Sequence, residues 1–233
     1  MTNIKLSIIV PVWNQWHFTE NCIKDLLFLP EDHEIIIVDD ASTDDTPTKI
    51  LKYCDRIKYI RSPNNGGFAV SCNLGYSHSS GNYVMFLNND IKVKEDKSNW
   101  TEPLFEKAAT HIVGPTGGLL NDNLNFVAEI EKLVDNPYFY MSGWNVTSSK
   151  DNWRKLCLPG DLGPFSTEYG KAYYEDTDLS FRARELGIPF DIISVPVKHF
   201  GKQTTKTINT SMLYLQAKEK FTKKWSQRIL KKG

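Results

Sequence analysis

Between residues 6 and 87 the chain repeats one pattern. Residues 6–12 form a nearly continuous apolar run with β-branched residues, closed by Pro11 and Asn14. A run of that kind suits a strand buried on both faces. Further strand patterns cover residues 34–38, 57–60 and 83–87. Between them, residues 19–29, 45–53 and 68–77 read as helices. The first carries Cys22, Ile23, Leu26 and Leu27 on one face, and the second opens with Thr46 and Pro47. Strand and helix alternating at this spacing predict an α/β domain with a mostly parallel sheet covered by helices. Past residue 98 the pattern loosens. Residues 114–125 are rich in Gly and Asn and read as loops. Residues 138–146 read as one strand, 176–186 as a helix stopped by Gly187 and Pro189, 192–197 as a strand and 209–230 as a long helix.

Composition narrows the class. The 233 residues suffice for one large domain with a sizeable core, and 40% apolar with 24% charged residues is ordinary for a globular protein. Lys+Arg and Asp+Glu are both 28, so global charge gives no case for nucleic-acid binding. Cys22, Cys54, Cys72 and Cys157 form no CxxC pair, which speaks for free thiols in a reducing compartment. The N-terminus runs into the first strand pattern without a signal-peptide signature, and no apolar run approaches membrane-spanning length. The expected location is therefore cytoplasmic. The triplets beginning at Asn145 and Asn209 are read as chance rather than as glycosylation acceptors.

In sheets of this kind ligands bind beyond the carboxyl ends of the strands. Those ends carry Pro11-Val12-Trp13-Asn14, Asp39-Asp40, Asn64-Asn65-Gly66-Gly67 and Asn88-Asn89-Asp90. The Asp90 carboxylate suits a divalent cation that completes its shell with phosphate oxygens and water; an Asx turn is the plainer alternative. Asp39 or Asp40 suits a base or ribose contact, while Ser42, Thr43 and Asp44 suit capping of the next helix. Asn65-Gly66-Gly67 lets backbone amides approach a phosphate at a helix start, or makes an ordinary tight turn. Neither a dinucleotide nor a P-loop glycine fingerprint occurs.

Glu175-Asp176-Thr177-Asp178 opens a helix just after Tyr173-Tyr174. Carboxylates there suit the helix dipole, and one of them suits a general base. Arg182 or Arg184 would be the ion-pair partner that keeps them charged. His199 suits a divalent-ion ligand or a structural role. Phe221, Trp225 and Ile229 recur every fourth residue within a strongly basic stretch. That stripe either packs on the domain or lies on an anionic membrane surface.

In order and spacing, these segments resemble family 2 glycosyltransferases of the GT-A fold. The matching pieces run from Ser7-Ile8-Ile9-Val10-Pro11-Val12-Trp13-Asn14 through Ile37-Val38-Asp39-Asp40-Ala41-Ser42-Thr43-Asp44, Asn65-Gly66-Gly67-Phe68 and Phe86-Leu87-Asn88-Asn89-Asp90. They continue to Tyr174-Glu175-Asp176-Thr177-Asp178-Leu179 and His199. The likeness is strongest to the rhamnosyltransferase-like branch. It implies that Pro11, Val12, Asn14, Asp39 and Asp40 line a nucleoside pocket, and that Asn65, Gly66 and Gly67 lie near the ribose or diphosphate. It implies that Asn88, Asn89 and Asp90 form the family's metal-binding triplet. Asn88 stands where Asp-x-Asp is common, which lowers the charge of the site. His199 matches a later metal contact, and Asp176, with Glu175 beside it, matches the catalytic base.

The resemblance further implies an inverting, metal-dependent transfer, with Mn2+ or Mg2+, from a UDP- or dTDP-sugar to an acceptor hydroxyl. The acceptor would be a glycan, a lipid-linked glycan or a protein. It divides the chain into a catalytic domain over 1–207, with a nucleotide-binding half over 1–97 and an acceptor and catalytic half over 98–207. A basic amphipathic helix over 208–233 follows, the place where peripheral contact with the inner membrane face would fall. Trp100, Trp144 and Trp153 are read as core or as sugar-stacking surfaces. The competing functions are an inactive sugar-nucleotide-binding module of the same fold, a sugar-nucleotide nucleotidyltransferase and a dinucleotide-dependent dehydrogenase. The last lacks its glycine fingerprint.

Overall fold

The computed structural model describes residues 4–94, 97–201 and 211–229. In chain order the first half runs β1 (Leu6–Val12), α1 (Trp16–Leu26), β2 (His33–Asp39), α2 (Thr46–Lys49), β3 (Lys58–Arg61), α3 (Phe68–Ser77), β4 (Tyr83–Leu87) and β5 (Ile91–Val93). The second half runs α4 (Glu102–Ala108), β6 (Ile112–Gly114), β7 (Gly117–Leu120), β8 (Phe126–Ile130), β9 (Phe139–Met141), β10 (Asn145–Ser149), α5 (Lys150–Leu156), α6 (Glu175–Glu185), β11 (Phe190–Ile192), β12 (Val197–His199) and α7 (Ser211–Ile229).

A seven-stranded sheet in the order β11-β6-β10-β4-β1-β2-β3 organises the molecule. The pairs β1–β2, β1–β4, β2–β3 and β6–β11 are parallel, and only β10 runs against its neighbours. The mostly parallel α/β architecture is thus present. The apolar run of β1 is explained by its two faces. Leu6, Ile8, Val10 and Val12 pack with Ile23 and Leu26 of α1, whereas Ile9 packs with Ala69 and Cys72 of α3. Alternate side chains point to opposite faces, so a strand covered on both must be apolar throughout. Pro11 is tolerated because the β1–β4 ladder ends at the Ile9–Phe86 pair.

The second half corrects several expectations. Residues 114–125 are not all loop, since β7 forms the centre of a three-stranded antiparallel sheet with β8 and β9. Its Gly117 and Gly118 let the rings of Phe139 and Tyr140 lie across the strand, where a Cβ would meet them within 2.4 Å. Residues 138–146 are two strands in different sheets, broken at Ser142-Gly143-Trp144. Residues 192–197 are the gap between β11 and β12 rather than a strand. Residues 45–53 split into α2 and a 3-10 turn (Ile50–Tyr53), and α1 begins at Trp16, three residues early.

The last helix is docked. Ala217, Phe221 and Trp225 are buried with Leu120, Leu124, Tyr169, Tyr174 and Phe181. The apolar stripe is therefore used by the domain itself at these positions, in place of a membrane surface; the side chain of Ile229 lies outside the described residues. No helix among the described residues is long and apolar enough to cross a membrane. Trp100 and Trp153 are core residues, which removes them as stacking surfaces. Asn145 is fully buried in β10, so its triplet offers no acceptor surface, and the triplet at Asn209 begins outside the described residues.

Candidate active site

The loops after β1 and β2 are knitted to each other. Asn14 is held in the left-handed region, with φ of 56°. Its Oδ1 accepts from the backbone N–H of Thr43 at 2.7 Å, and its own N–H donates to Ser42 Oγ at 2.7 Å. Asp39 has no exposed surface. Its carboxylate accepts from the N–H of Ser42 (2.8 Å), the hydroxyl of Tyr59 (2.7 Å) and Arg61 Nη1 (2.5 Å). Arg61 also donates to the Ser42 carbonyl. Asp39 thus faces its own loop, where Tyr59 and Arg61 pair with it and Arg61 is the partly exposed member. Sequence reasoning missed both, although Arg61 ends β3 and the strand-end rule could have flagged it.

Asp40 has a different task. Its two carboxylate oxygens accept from the N–H groups of Gly66 and Gly67, each at 2.8 Å. Burial pushes this carboxyl up, against those two donors. The glycines are required by close approach. Gly67 has φ of 88°, and a Cβ there would lie 2.3 Å from the Lys171 backbone. Lys171 in turn accepts the N–H of Phe68 through its carbonyl. Asn65, Gly66 and Gly67 therefore sit at the start of α3, clamped between Asp40 and the segment that precedes α6.

The triplet lies in the bend between β4 and β5, and its side chains divide there. Asn89 turns inward, where its amide donates to Thr19 Oγ1 of α1 at 2.9 Å, so it faces the core instead of the site. Asn88 and Asp90 turn the other way. The antiparallel β5–β12 ladder, with His199 opposite Ile91, brings the imidazole beside them. His199 Nε2 lies 3.0 Å from Asp90 Oδ1 and 3.3 Å from Asn88 Nδ2. The indole of Trp144 stacks on the imidazole, with ring centroids 4.6 Å apart and planes 8° apart. Among the described residues no third His, Cys, Asp or Glu joins the pair. One carboxylate, one imidazole and one amide fit a hard cation that takes most of its ligands from phosphate and water.

Asp176 lies in the first turn of α6. Its Oδ2 accepts from the N–H of Gly143 at 3.0 Å and its Oδ1 from the N–H of Thr177 at 2.7 Å. A Cβ on Gly143 would lie 3.1 Å from that of Asp176. The two residues that enter the helix, Tyr173 and Tyr174, both have positive φ, 76° and 66°. Each such conformation costs about 1–3 kcal/mol and is a known companion of functional sites. Burial pushes the Asp176 carboxyl above the ordinary range. Burial, and then the neighbouring charge of Asp176, push the Glu175 carboxyl up as well.

Asp178, two residues on, is structural. Burial pushes its carboxyl up, but Arg182 and Lys224 outweigh it and hold it below the usual value. It accepts from Arg182 Nε, Tyr169 Oη and Trp225 Nε1 at 2.7, 2.8 and 2.9 Å. Arg182 is thus the partner of Asp178, while Arg184 donates to the carbonyls of Asn136 and Phe139.

With this geometry in hand, likeness to known proteins is informative. A family model described as glycosyl transferase family 2 matches residues 7–142. Glycosyltransferase GlyG of Streptococcus pneumoniae is 29% identical over 146 residues, covering 59% of this chain and 44% of its own. The putative teichuronic acid biosynthesis glycosyltransferase TuaG of Bacillus subtilis is 38% identical over 103 residues, covering 42% of this chain and 41% of its own. The chain thus spans less than half the length of these relatives. The fold is similar to that of the mannosyltransferase PcManGT of Pyrobaculum calidifontis, in complex with GDP-Man and Mn2+. The TM-score is 0.62 at 16% identity, over 82% of this chain and 55% of that one.

Proposed function

The chain belongs to glycosyltransferase family 2, and from that premise we propose that it carries out an inverting, metal-dependent transfer. The donor is a nucleotide diphosphate sugar, of the UDP- or dTDP-hexose or rhamnose kind, and the acceptor is a hydroxyl of a glycan, a lipid-linked glycan or a protein. The observation that carries the reading is the meeting of Asp90, His199 and Asn88 beneath Trp144, with Gly143 reaching from there to Asp176.

Asp90 and His199 would hold Mn2+ or Mg2+, which when bound supplies Lewis-acid neutralisation of charge on the departing diphosphate. Asn65, Gly66 and Gly67 would offer backbone amides near the ribose or diphosphate. Pro11, Val12, Asn14, Asp39 and Asp40 would shape the nucleoside side, Asn14, Asp39 and Asp40 by fixing its loops. Asp176, once ionised, would take the proton of the acceptor hydroxyl as that oxygen attacks the anomeric carbon opposite the leaving group. Glu175 would stand beside that base at the start of α6.

Thermal unfolding with UDP, dTDP and GDP, with and without Mn2+, tests the proposal, because ligands that bind the native state raise its apparent stability. One nucleotide should raise the midpoint, more strongly with Mn2+, and Asp90→Ala should abolish the metal-dependent part. No shift with any nucleotide would support an inactive module, with Asn88 as the residue to suspect.

A further inference from the structure

Trp144 was a candidate for stacking on a sugar, yet its ring is 8% exposed and lies flat on His199. Three anchors fix it there. Its Nε1–H donates to Thr116 Oγ1 at 2.9 Å on the strand turn before β7. Its carbonyl accepts the N–H of Asn88 at 2.8 Å. The residue before it, Gly143, donates to Asp176 at 3.0 Å. A flat stack covers one face of the imidazole and leaves its edge, with Nε2, turned to Asp90. His199 is otherwise carried on a three-residue strand at the end of the paired region, an element too short to fix a ring orientation by itself.

We propose that Trp144 is a positioning residue that sets the ring orientation of the cation ligand His199, and that the dipeptide Gly143-Trp144 ties that ligand to the base Asp176. The inference rests on the cation-site reading above. Outer-shell groups that hydrogen-bond a metal-binding imidazole are worth roughly ten- to a hundredfold in metal affinity, and Trp144 would orient the ring in their manner by its stacked face, itself held by the indole anchor.

The test is Mn2+ affinity of the full chain, followed by electron paramagnetic resonance of free Mn2+ in the presence of UDP, dTDP or GDP. Trp144→Leu should weaken Mn2+ binding about ten- to a hundredfold. Trp144→Phe, which keeps a flat ring, should recover most of the loss, and Thr116→Val should show a smaller loss because it removes only the anchor. In a His199→Ala background Trp144→Leu should add nothing further, as expected of two residues acting as one unit. Trp144→Phe and Thr116→Val remain readable if the leucine variant folds poorly. Native affinity in Trp144→Leu, or an undiminished effect of that change without His199, would overturn the proposal. Equal Mn2+ binding by the native chain and His199→Ala would remove the cation site itself, and this inference with it.

Discussion

The two halves of the molecule use their polar residues in opposite ways. In residues 4–93 each loop is closed by its neighbours. Asn14 ties to residues 42–44, Asp39 to Tyr59 and Arg61, and Asp40 to Gly66 and Gly67. These carboxylates hold the loops at the strand ends to one another. In the second half the candidate site residues come together through distant pairings. The β5–β12 ladder delivers His199, and the break between β9 and β10 delivers Gly143 and Trp144. The lesson is that regular βα units can supply a rigid floor, while the proposed site is assembled by irregular segments laid over it.

The largest expected effect tests how far the second half depends on the C-terminal helix. Asp178→Asn should destabilise the fold by about 3–5 kcal/mol, because it leaves Arg182 and Lys224 without their buried counter-charge. The sign with pH follows from the lowered carboxyl. Its stabilisation is present above the ordinary aspartate pKa of about 3.9 and is lost as pH falls through the lower folded value. Urea midpoints of the native chain should therefore drop on acidification below about pH 4, and the variant should show a shallower drop. Equal stability of the two at neutral pH would mean that α7 is not held through Asp178.

A smaller effect should come from Gly143→Ala. The added methyl meets the Asp176 side chain at 3.1 Å, and displacing a base by a fraction of an ångström should lower turnover about ten- to a hundredfold. Nucleotide binding with Mn2+ should fall far less than turnover, since the indole anchor on Thr116 and the backbone bond to Asn88 remain, which sets this change apart from one on the first-half floor. The smallest effect is expected of Glu175→Gln. With Asp176 as the base, the glutamine keeps the shape of Glu175 and leaves the base in place. The acid limb of kcat/KM should lie above the ordinary aspartate value, since burial raises Asp176. Loss of activity in Glu175→Gln would transfer the role of base to Glu175.

The same contrast explains what could be read in the sequence. Strand β1, helix α3 and strand β4 follow from local apolar patterns, and their bounds agree with the structure. Asn89 reads with the site from its place in the triplet, whereas in the bend between β4 and β5 it donates to Thr19 of α1, a contact no local pattern announces. Residues 114–125 hid β7 because its glycines look like loop residues, whereas they make room for Phe139 and Tyr140. No local signal announces that Trp144 lies on His199, since that contact depends on two loops meeting across the sheet end. Asp176 was legible as one carboxylate of an acidic helix start. Its distinction from Asp178 was not, because it depends on Arg182, Lys224 and Trp225 all turning to the latter.

The account stands on a division of labour between a donor side at Asp90 and His199 and a base at Asp176. The direct test is Asp176→Asn, with sugar release and Mn2+-dependent nucleotide binding measured on the same preparation. Release should fall by about 10²–10⁴-fold, the usual contribution of a general base, while nucleotide binding stays native. Near-native turnover in this variant, or loss of nucleotide binding together with turnover, would contradict it.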